Sequence, residues 1–358
     1  MSSRTRIAVV YGGRSSEHSI SCISAGAIRR ALDPNRYDVV PIGISRDGGW
    51  YLQRTDPAEL RIIDGVLPEV VANDEPVTFH ADPTRIDELI GRLDVVFPVL
   101  HGPYGEDGTV QGLFELAGIP YVGSGVLSSA VAMDKGYMKA LFTAAGLGVG
   151  PYEVITDHQW RTDEVDCRAR IAELGFPIFV KPARAGSSQG ISKVHDSSEL
   201  DAAIAEAREH DPRLVIEAGI NGVREIECAV MVDAQGGARA SRCAEIIVRS
   251  GHEFYDFAAK YLEDAADLVV PAEIPSDVEA RMRELAVVAF ESLGCEGLAR
   301  VDFFLLPDGE VVVNEVNTMP GFTPISMFPR MWQESGIGYE QLVDALVADA
   351  LRRGTGLR

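Results

Sequence analysis

Four polar side chains are spaced so that one hairpin would gather them. The stretch "GLARVDFFLLPDGEVVVNEVN" (297–317) holds two apolar runs on either side of Asp308-Gly309, a two-residue turn signal. Folding the runs about that dipeptide pairs Arg300 with Asn317, Asp302 with Glu315 and Phe304 with Val313. Strand alternation then puts Arg300, Asp302, Glu315 and Asn317 on one face. Two carboxylates directly opposite each other repel and destabilise a sheet unless something sits between them. A solvated sheet edge is one reading of this pattern. A divalent cation is the sharper one, because Asp, Glu and Asn oxygens suit Mg²⁺ or Mn²⁺. Mg²⁺ takes one or two carboxylates together with phosphate oxygens, so a metal here predicts a nucleotide nearby.

A second stretch supplies the phosphate side. "VKPARAGSSQG" (180–190) ends an apolar run with Lys181 and Pro182 and continues as a loop of small residues. The common phosphate loop reads G-x-x-x-x-G-K-[ST], with its lysine after the glycines; here Lys181 comes first. By itself such a loop is more often a surface turn. Beside a carboxylate hairpin it reads as a phosphate cradle of another kind, with Lys181 as a point charge and backbone N–H groups as donors.

These residues need a scaffold, and the chain is long enough to build one. At 358 residues it exceeds the usual single-domain size. "RIAVVYGG", "DVVPIGIS" and "LDVVFPVLHG" read as strands, with "EHSISCISAGAIRRAL" as a helix after the first. Strands alternating with helices imply a parallel sheet with ligands near the strand C-terminal ends. Residues 46–91 are less regular, and "DGGWYL" with "EPVTFH" suggests an inserted hairpin. "SSAVAMDKGYMKALFTAAGL" reads as one helix. "FPIFVKPA", "GISKVHD" and "LVIEAGI" read as strands, "SELDAAIAEAREH" as a helix, "REIECAVMVD" and "RCAEIIVRS" as adjacent strands, and "SDVEARMRELAVVAFESLG" as an amphipathic helix.

The formal net charge of −21 opposes non-specific binding to nucleic acid, so a small-molecule partner is expected. Five scattered cysteines without a C-x-x-C pair argue against a disulfide framework and a thiolate zinc site. A strand begins within a few residues of Met1, and no apolar run approaches membrane-span length. The expected location is the cytoplasm, with no membrane partner.

The ordered set "GGRSSEHSIS", "HGPYGEDGTVQG", "GSGVLSSAVAMDK", "VKPARAGSSQGISKV", "FYDFAAKYL", "GLARVDFFL" and "NEVNTMPGFTPISMFP" resembles the ATP-grasp carboxylate–amine ligases, and within them the D-alanine–D-alanine ligases. The resemblance runs nearly end to end, apart from 46–91, which looks like an insertion. It implies an α/β fold, α+β in part, in three domains. These are a Rossmann-like N-terminal substrate-binding domain (1–123), a central ATP-grasp domain (124–217) and a C-terminal catalytic domain (218–358). It also implies ligation of two D-alanines at the expense of ATP for peptidoglycan synthesis, and a homodimer.

Residue by residue, the resemblance gives Lys135 and Lys181 to the ATP phosphates and makes Lys260 a further ATP-binding residue. Glu217, Ala218 and Ile220 would line the adenine, and Glu225 would take the ribose. Asp302, Glu315 and Asn317 would bind two Mg²⁺ or Mn²⁺ ions. Arg300 and the Gly321 N–H would stabilise the oxyanion. Glu17 would hold the first D-alanine's ammonium, with His101 beside that substrate. Ser326 and the Met327 backbone would bind the second substrate's carboxylate. Ser187 and Tyr261 would be lid partners of Glu17, hydrogen-bonded across the closed site, with Lys260 and Tyr261 carried on a mobile loop, "GHEFYDFAAKYLED".

Three other readings compete. A dinucleotide-dependent oxidoreductase is disfavoured because "GGRSSE" lacks the G-x-G-x-x-G spacing. A binding-only relic of the fold should have lost metal or oxyanion residues, and all four hairpin residues are present. A D-alanine–D-lactate ligase is the nearest alternative. Such enzymes look different in the mobile loop, where a histidine-bearing segment replaces the Lys260-Tyr261 pair kept here.

Overall fold

The computed structural model describes residues 4–186, 189–249 and 266–356. Ser187, Lys260 and Tyr261 lie outside the described residues. Three sheets share the work of building the molecule.

The first sheet contains β1 (Thr5–Gly12), β2 (Tyr37–Ile44), β3 (Trp50–Leu52) and β4 (Val95–Val99), in the order β3-β2-β1-β4. β1 lies between parallel β2 and β4, and β3 is an antiparallel edge. The run Ile7-Ala8-Val9-Val10 is buried throughout, as a central parallel strand covered on both faces requires. Helix α1 (His18–Ala31) covers one face and α2 (Thr109–Ala117) the other. The hairpin expected in the insertion is smaller than its sequence suggests. Trp50–Leu52 pairs mainly with β2 and reaches Pro76 through a single bridge.

The segment expected as one helix after residue 125 is two, α3 (Val126–Met133) and α4 (Lys135–Ala144). Asp134 breaks it. Its backbone is extended and its carboxylate accepts the Gly136 and Tyr137 N–H groups, an N-cap that places Lys135 in the first turn of the new helix. The second sheet is antiparallel: β5 (Tyr152–Thr156), β6 (Ile178–Pro182), β7 (Ser192–Val194) and β8 (Arg213–Ala218), in the order β5-β8-β6-β7. Short α5 (Asp157–Thr162) follows β5, and α6 (Glu164–Glu173) and α7 (Leu200–His210) bury Ile171 and Ile204 against this sheet.

The third sheet, also antiparallel, contains β9 (Arg224–Val232), β10 (Ala238–Val248), β11 (Ala266–Val269), β12 (Leu298–Leu305) and β13 (Val311–Asn317), in the order β11-β10-β9-β12-β13. One face packs on α3, α4 and α8 (Ser276–Ser292) through residues such as Cys228, Val301 and Phe303. The other meets α9 (Met327–Glu334), α10 (Tyr339–Arg353) and the α1 side of the first sheet in a shared core. All five cysteines are free and buried.

The β12–β13 hairpin corrects the expected register in one place. Asp302 faces Glu315 and Arg300 faces Asn317, but Phe304 faces Val312, not Val313. The connection is three residues, Pro307 to Gly309, because Leu306 donates to Glu310 and Gly309, at φ +88°, donates back to Leu306. That shifts the register by one. A bulge at Asn314, between the Asp302–Glu315 and Phe303–Val313 pairs, shifts it back. The two departures cancel, and the four polar residues keep their expected partners.

Phe322 ties the third sheet's trailing loop to the first sheet. Fully buried, it lies against Phe97 of β4, Phe328 of α9 and Tyr339 of α10. We expect Phe322→Ala to cost about 3–5 kcal/mol, read as a lowered urea midpoint. A loss below about 1 kcal/mol would mean that the loop is anchored elsewhere.

Candidate active site

The three sheets converge on one cavity of about 1090 Å³, whose lining includes Glu17, His101, Lys135, Lys181, Glu217, Ala218, Ile220, Glu225, Arg300, Asp302, Glu315, Asn317, Gly321, Ser326 and Met327. Every sequence-derived site residue within the described segments is therefore brought to one place.

On the third sheet, the opposed carboxylates do not face each other bare. The Arg300 guanidinium donates from Nε and Nη2 to the two Asp302 oxygens, both at 2.7 Å, and Asn317 Nδ2 donates to Asp302 Oδ2 at 3.0 Å. Glu227 of β9 lies 3.1 Å from Arg300 Nε. Glu315 pairs with Lys135 Nζ at 3.5 Å. The repulsion expected from the sequence is thus offset by two cations. Burial alone would lower the Arg300 pKa, but Asp302 and Glu227 more than reverse that, so the guanidinium stays charged. The donor set remains all oxygen, and with Nδ2 committed to Asp302, Asn317 keeps its Oδ1 as an acceptor. That chemistry fits a hard divalent cation.

On the second sheet, Glu217 of β8 lies between two lysines. Lys181 Nζ donates to Oε2 at 2.7 Å, and Lys139 Nζ lies 3.1 Å from Oε1. Burial would raise the Glu217 pKa, but Lys139 and Lys181 bring it down to about 2. Burial opposes the Lys181 charge too, yet Glu217 leaves its pKa above the ordinary value; at Lys139 burial wins and the pKa falls. Lys135 Nζ also donates to the Ala185 carbonyl at 3.0 Å, so it touches the loop that follows Lys181.

The first sheet contributes its strand C-terminal ends. Glu17 lies just before α1, and a Cβ at Gly186 or Gly102 would come 3.2 or 3.3 Å from Glu17 Oε2. His101, following β4, donates from Nδ1 to the Met319 carbonyl at 2.8 Å. Its buried Nε2 has no hydrogen-bond partner among the described residues. Glu106 bridges two loops, accepting the Gly102 and Met319 N–H groups at 2.7 Å each. Burial, with Glu17 nearby, pushes its pKa up to about 8 against those donors. Ser326 stands at the N-cap position of α9, and its Oγ lies 2.8 Å from Thr323 Oγ1 rather than on the helix N–H groups.

Sequence reasoning missed Lys139, Glu227 and Glu106. Lys139 follows Lys135 by one helical turn, and Glu227 alternates with buried Ile226 and Cys228 in "REIEC", so periodicity carried both signals. Glu106 lies inside a quoted motif, but nothing local tells which of its acids turns inward.

A nucleotide-sized cavity between two antiparallel sheets, lysines on one and carboxylates on the other, with a Rossmann-like first sheet, defines an ATP-grasp ligase. Two family profiles, "D-ala D-ala ligase N-terminus" and "D-ala D-ala ligase C-terminus", match residues 6–124 and 141–348. The chain belongs to the D-alanine–D-alanine ligase family. It is 55% identical to the D-alanine–D-alanine ligase of Arthrobacter sp. (strain FB24), over 99% of this chain and 96% of that one. It is 54% identical to that of Nocardia farcinica, over the whole of both. Among solved structures, it resembles the VanG D-Ala:D-Ser ligase of Enterococcus faecalis (TM-score 0.84, 39% identity, 97% of this chain and 100% of that one). It also resembles the D-alanine–D-alanine ligase of Coxiella burnetii (TM-score 0.80, 33% identity, 98% and 94%).

The Glu217 cluster generates a pH-dependent expectation. Glu217→Gln leaves two buried lysines without their carboxylate, at a cost of about 3 kcal/mol. The folded pKa of Glu217 is depressed, so its contribution is complete above the unfolded value of about 4.3 and is lost as pH falls towards 2. Urea denaturation at pH 7 and pH 3 should show a wide gap between wild type and variant that narrows in acid. A gap independent of pH would overturn this account.

Proposed function

We propose that the chain joins two D-alanines through a D-alanyl phosphate, with the residue roles that follow. The observation that supports this reading is that one cavity is lined by buried lysines, an oxygen-donor face and Arg300, together with Glu17, His101, Gly321 and Ser326. The division into domains at 1–123, 124–217 and 218–358 belongs to the same proposal, as does action in the cytoplasm, where ATP is supplied.

Lys135 and Lys181 hold the ATP phosphates as point charges. Glu217, Ala218 and Ile220 line the adenine, and Glu225 takes the ribose hydroxyls. Asp302, Glu315 and Asn317 would hold two Mg²⁺ or Mn²⁺ ions, which when bound offset charge on the transferred phosphoryl group. Glu17 binds the first D-alanine's ammonium and His101 lies beside it, turning that substrate's carboxylate towards the γ-phosphate. Attack by the carboxylate forms the acyl phosphate and releases ADP. The second D-alanine is held by its carboxylate at Ser326 and the N-terminus of α9, where the helix dipole favours an anion. Its amine, once neutral, attacks the acyl carbon. Arg300 and the Gly321 N–H stabilise the resulting oxyanion, and phosphate leaves. Lys260 and the Ser187–Tyr261 pair complete the reading as phosphate and lid contacts that keep water from the acyl phosphate.

A D-alanine–D-lactate ligase would share this whole frame. The Lys260-Tyr261 pair in the sequence favours the amine acceptor.

Two outcomes test the reading. Asp302→Asn should lower kcat at least about 100-fold, because it removes the carboxylate charge that both attracts the metal and orients Arg300. Near-normal turnover in a steady-state phosphate-release assay would sink the oxygen-donor face. With equal D-alanine and D-lactate across pH 6 to 9, mass spectrometry should find dipeptide throughout, rising with pH as the amine loses its proton. Predominant depsipeptide at pH 6 would reassign the acceptor and leave the fold untouched.

A further inference from the structure

His18, the first residue of α1, has no part in the mechanism above, yet it is fully buried and makes two hydrogen bonds of opposite sense. Its Nδ1 is 2.7 Å from the Gly13 carbonyl, which can only accept. Its Nε2 lies 2.9 Å from the Val70 N–H, which can only donate. Together these partners fix one state, the neutral imidazole with its proton on Nδ1. An imidazolium would turn an N–H towards the Val70 N–H and break that bond.

The two partners belong to different parts of the chain. Gly13 is in the turn that leads from β1 to Glu17, and Val70 is in the 46–91 insertion. Val70 also packs over the ends of β1 and β2: a Cβ at Gly12 would come 2.7 Å from Val70 Cγ2, and one at Gly43 2.6 Å from Val70 Cγ1. Ten residues earlier, Leu60 is seated on α1, where a Cβ at Gly26 would lie 2.8 Å from Leu60 Cβ. The insertion is therefore anchored at Leu60 and at Val70. Between the anchors, Ile62 joins Ile20 and Ile23 of α1 in lining the cavity that Glu17 also lines.

We propose that His18 is a positioning residue, whose neutral imidazole straps the insertion to the Glu17 turn so that Ile62 forms the outer wall of the first D-alanine's subsite. This rests on the assignment of Glu17 to that substrate's ammonium. Protonation of His18 releases the Val70 end of the strap and opens the wall.

The groups around the imidazole agree with a neutral ring. Burial lowers its pKa, the Gly13 carbonyl opposes that, and Arg46 after β2 and Glu69 in the insertion act in opposite directions. Arg46 and Glu69 are paired at 2.8 Å, and Arg46 Nη2 also reaches Ser19 Oγ. The Cys22 thiol, one turn along α1, is pushed up to about 12, chiefly by burial, and stays neutral. Because the folded pKa of His18 is depressed, the strap is intact at and above the unfolded value of about 6.5 and is lost only as pH falls through the lower folded value.

The test uses the full chain with ATP, Mg²⁺ and D-alanine, and initial rates over a D-alanine range wide enough to separate the two amino-acid KM values. His18→Phe should raise the first-site KM about fivefold, with the second-site and ATP KM values unchanged. Ile62→Ala, at a half-exposed position that does not threaten folding, should raise the same KM about threefold. In wild type the first-site KM should be flat above about pH 6.5 and climb as pH falls below it, alongside a fall in the Val70 amide's hydrogen-exchange protection; His18→Gln should abolish both pH dependences. Equal changes in all three KM values, or a Val70 protection factor indifferent to pH, would overturn the inference. Glu17→Gln separates the layers. If it raises the first-site KM while His18→Phe and Ile62→Ala do not, the strap is wrong. If it has no effect, the Glu17 assignment fails and takes the subsite role with it, while the exchange data still decide the tie.

Discussion

A charged group in the wall of a deep cavity must be paired or lose its charge. That constraint arranges the site. Glu217 is shared by Lys139 and Lys181, Asp302 is clasped by Arg300, and Glu315 pairs with Lys135. Glu106, held by two N–H donors with Glu17 nearby, meets the constraint by a raised pKa. On the proposed roles, a polyanionic nucleotide with its cations would enter such a site by exchanging partners, phosphates taking the lysines and metal ions the carboxylates. The cost of bringing charge into the cavity is then largely met before the substrate arrives.

The walls come from three sheets, so their mutual placement decides whether the charges meet. Beside the core that the first and third sheets share, directional links set their relative position. His101 donates to the Met319 carbonyl, and Glu106 accepts the Met319 N–H. Phe322 fills the space beneath, against Phe97. The stretch from Met319 to Phe322 is consequently fixed on both sides, and it includes Gly321, the proposed oxyanion donor. The second sheet reaches the same place through the Ala185–Gly186 backbone, close to Lys135 and Glu17. Under the proposed mechanism, strap, loop and sheet edges would serve one requirement: acyl and phosphoryl groups must meet without water.

Local patterns in the sequence determined the elements and most of the site. Alternation through "LARVDFF" and "VNEVN" placed four polar residues on one face, and that reading survived a wrong turn length because the bulge at Asn314 restored the register. The apolar run of β1, the glycines after it and the order of the motifs identified the fold and the family. These signals are legible because period-2 and period-3.6 patterns record burial within a single element. Only the tertiary structure decided what crosses between elements. It broke the 126–144 helix at Asp134, whose capping role depends on a carboxylate turning back to two N–H groups. It gave Glu217 two lysines from different elements, a pairing that no spacing in one strand announces. It turned His18 from a helix-start residue into a link between the Gly13 turn and an insertion that no motif described. A charge or an imidazole takes its state from neighbours distant in sequence, and those neighbours are set by packing.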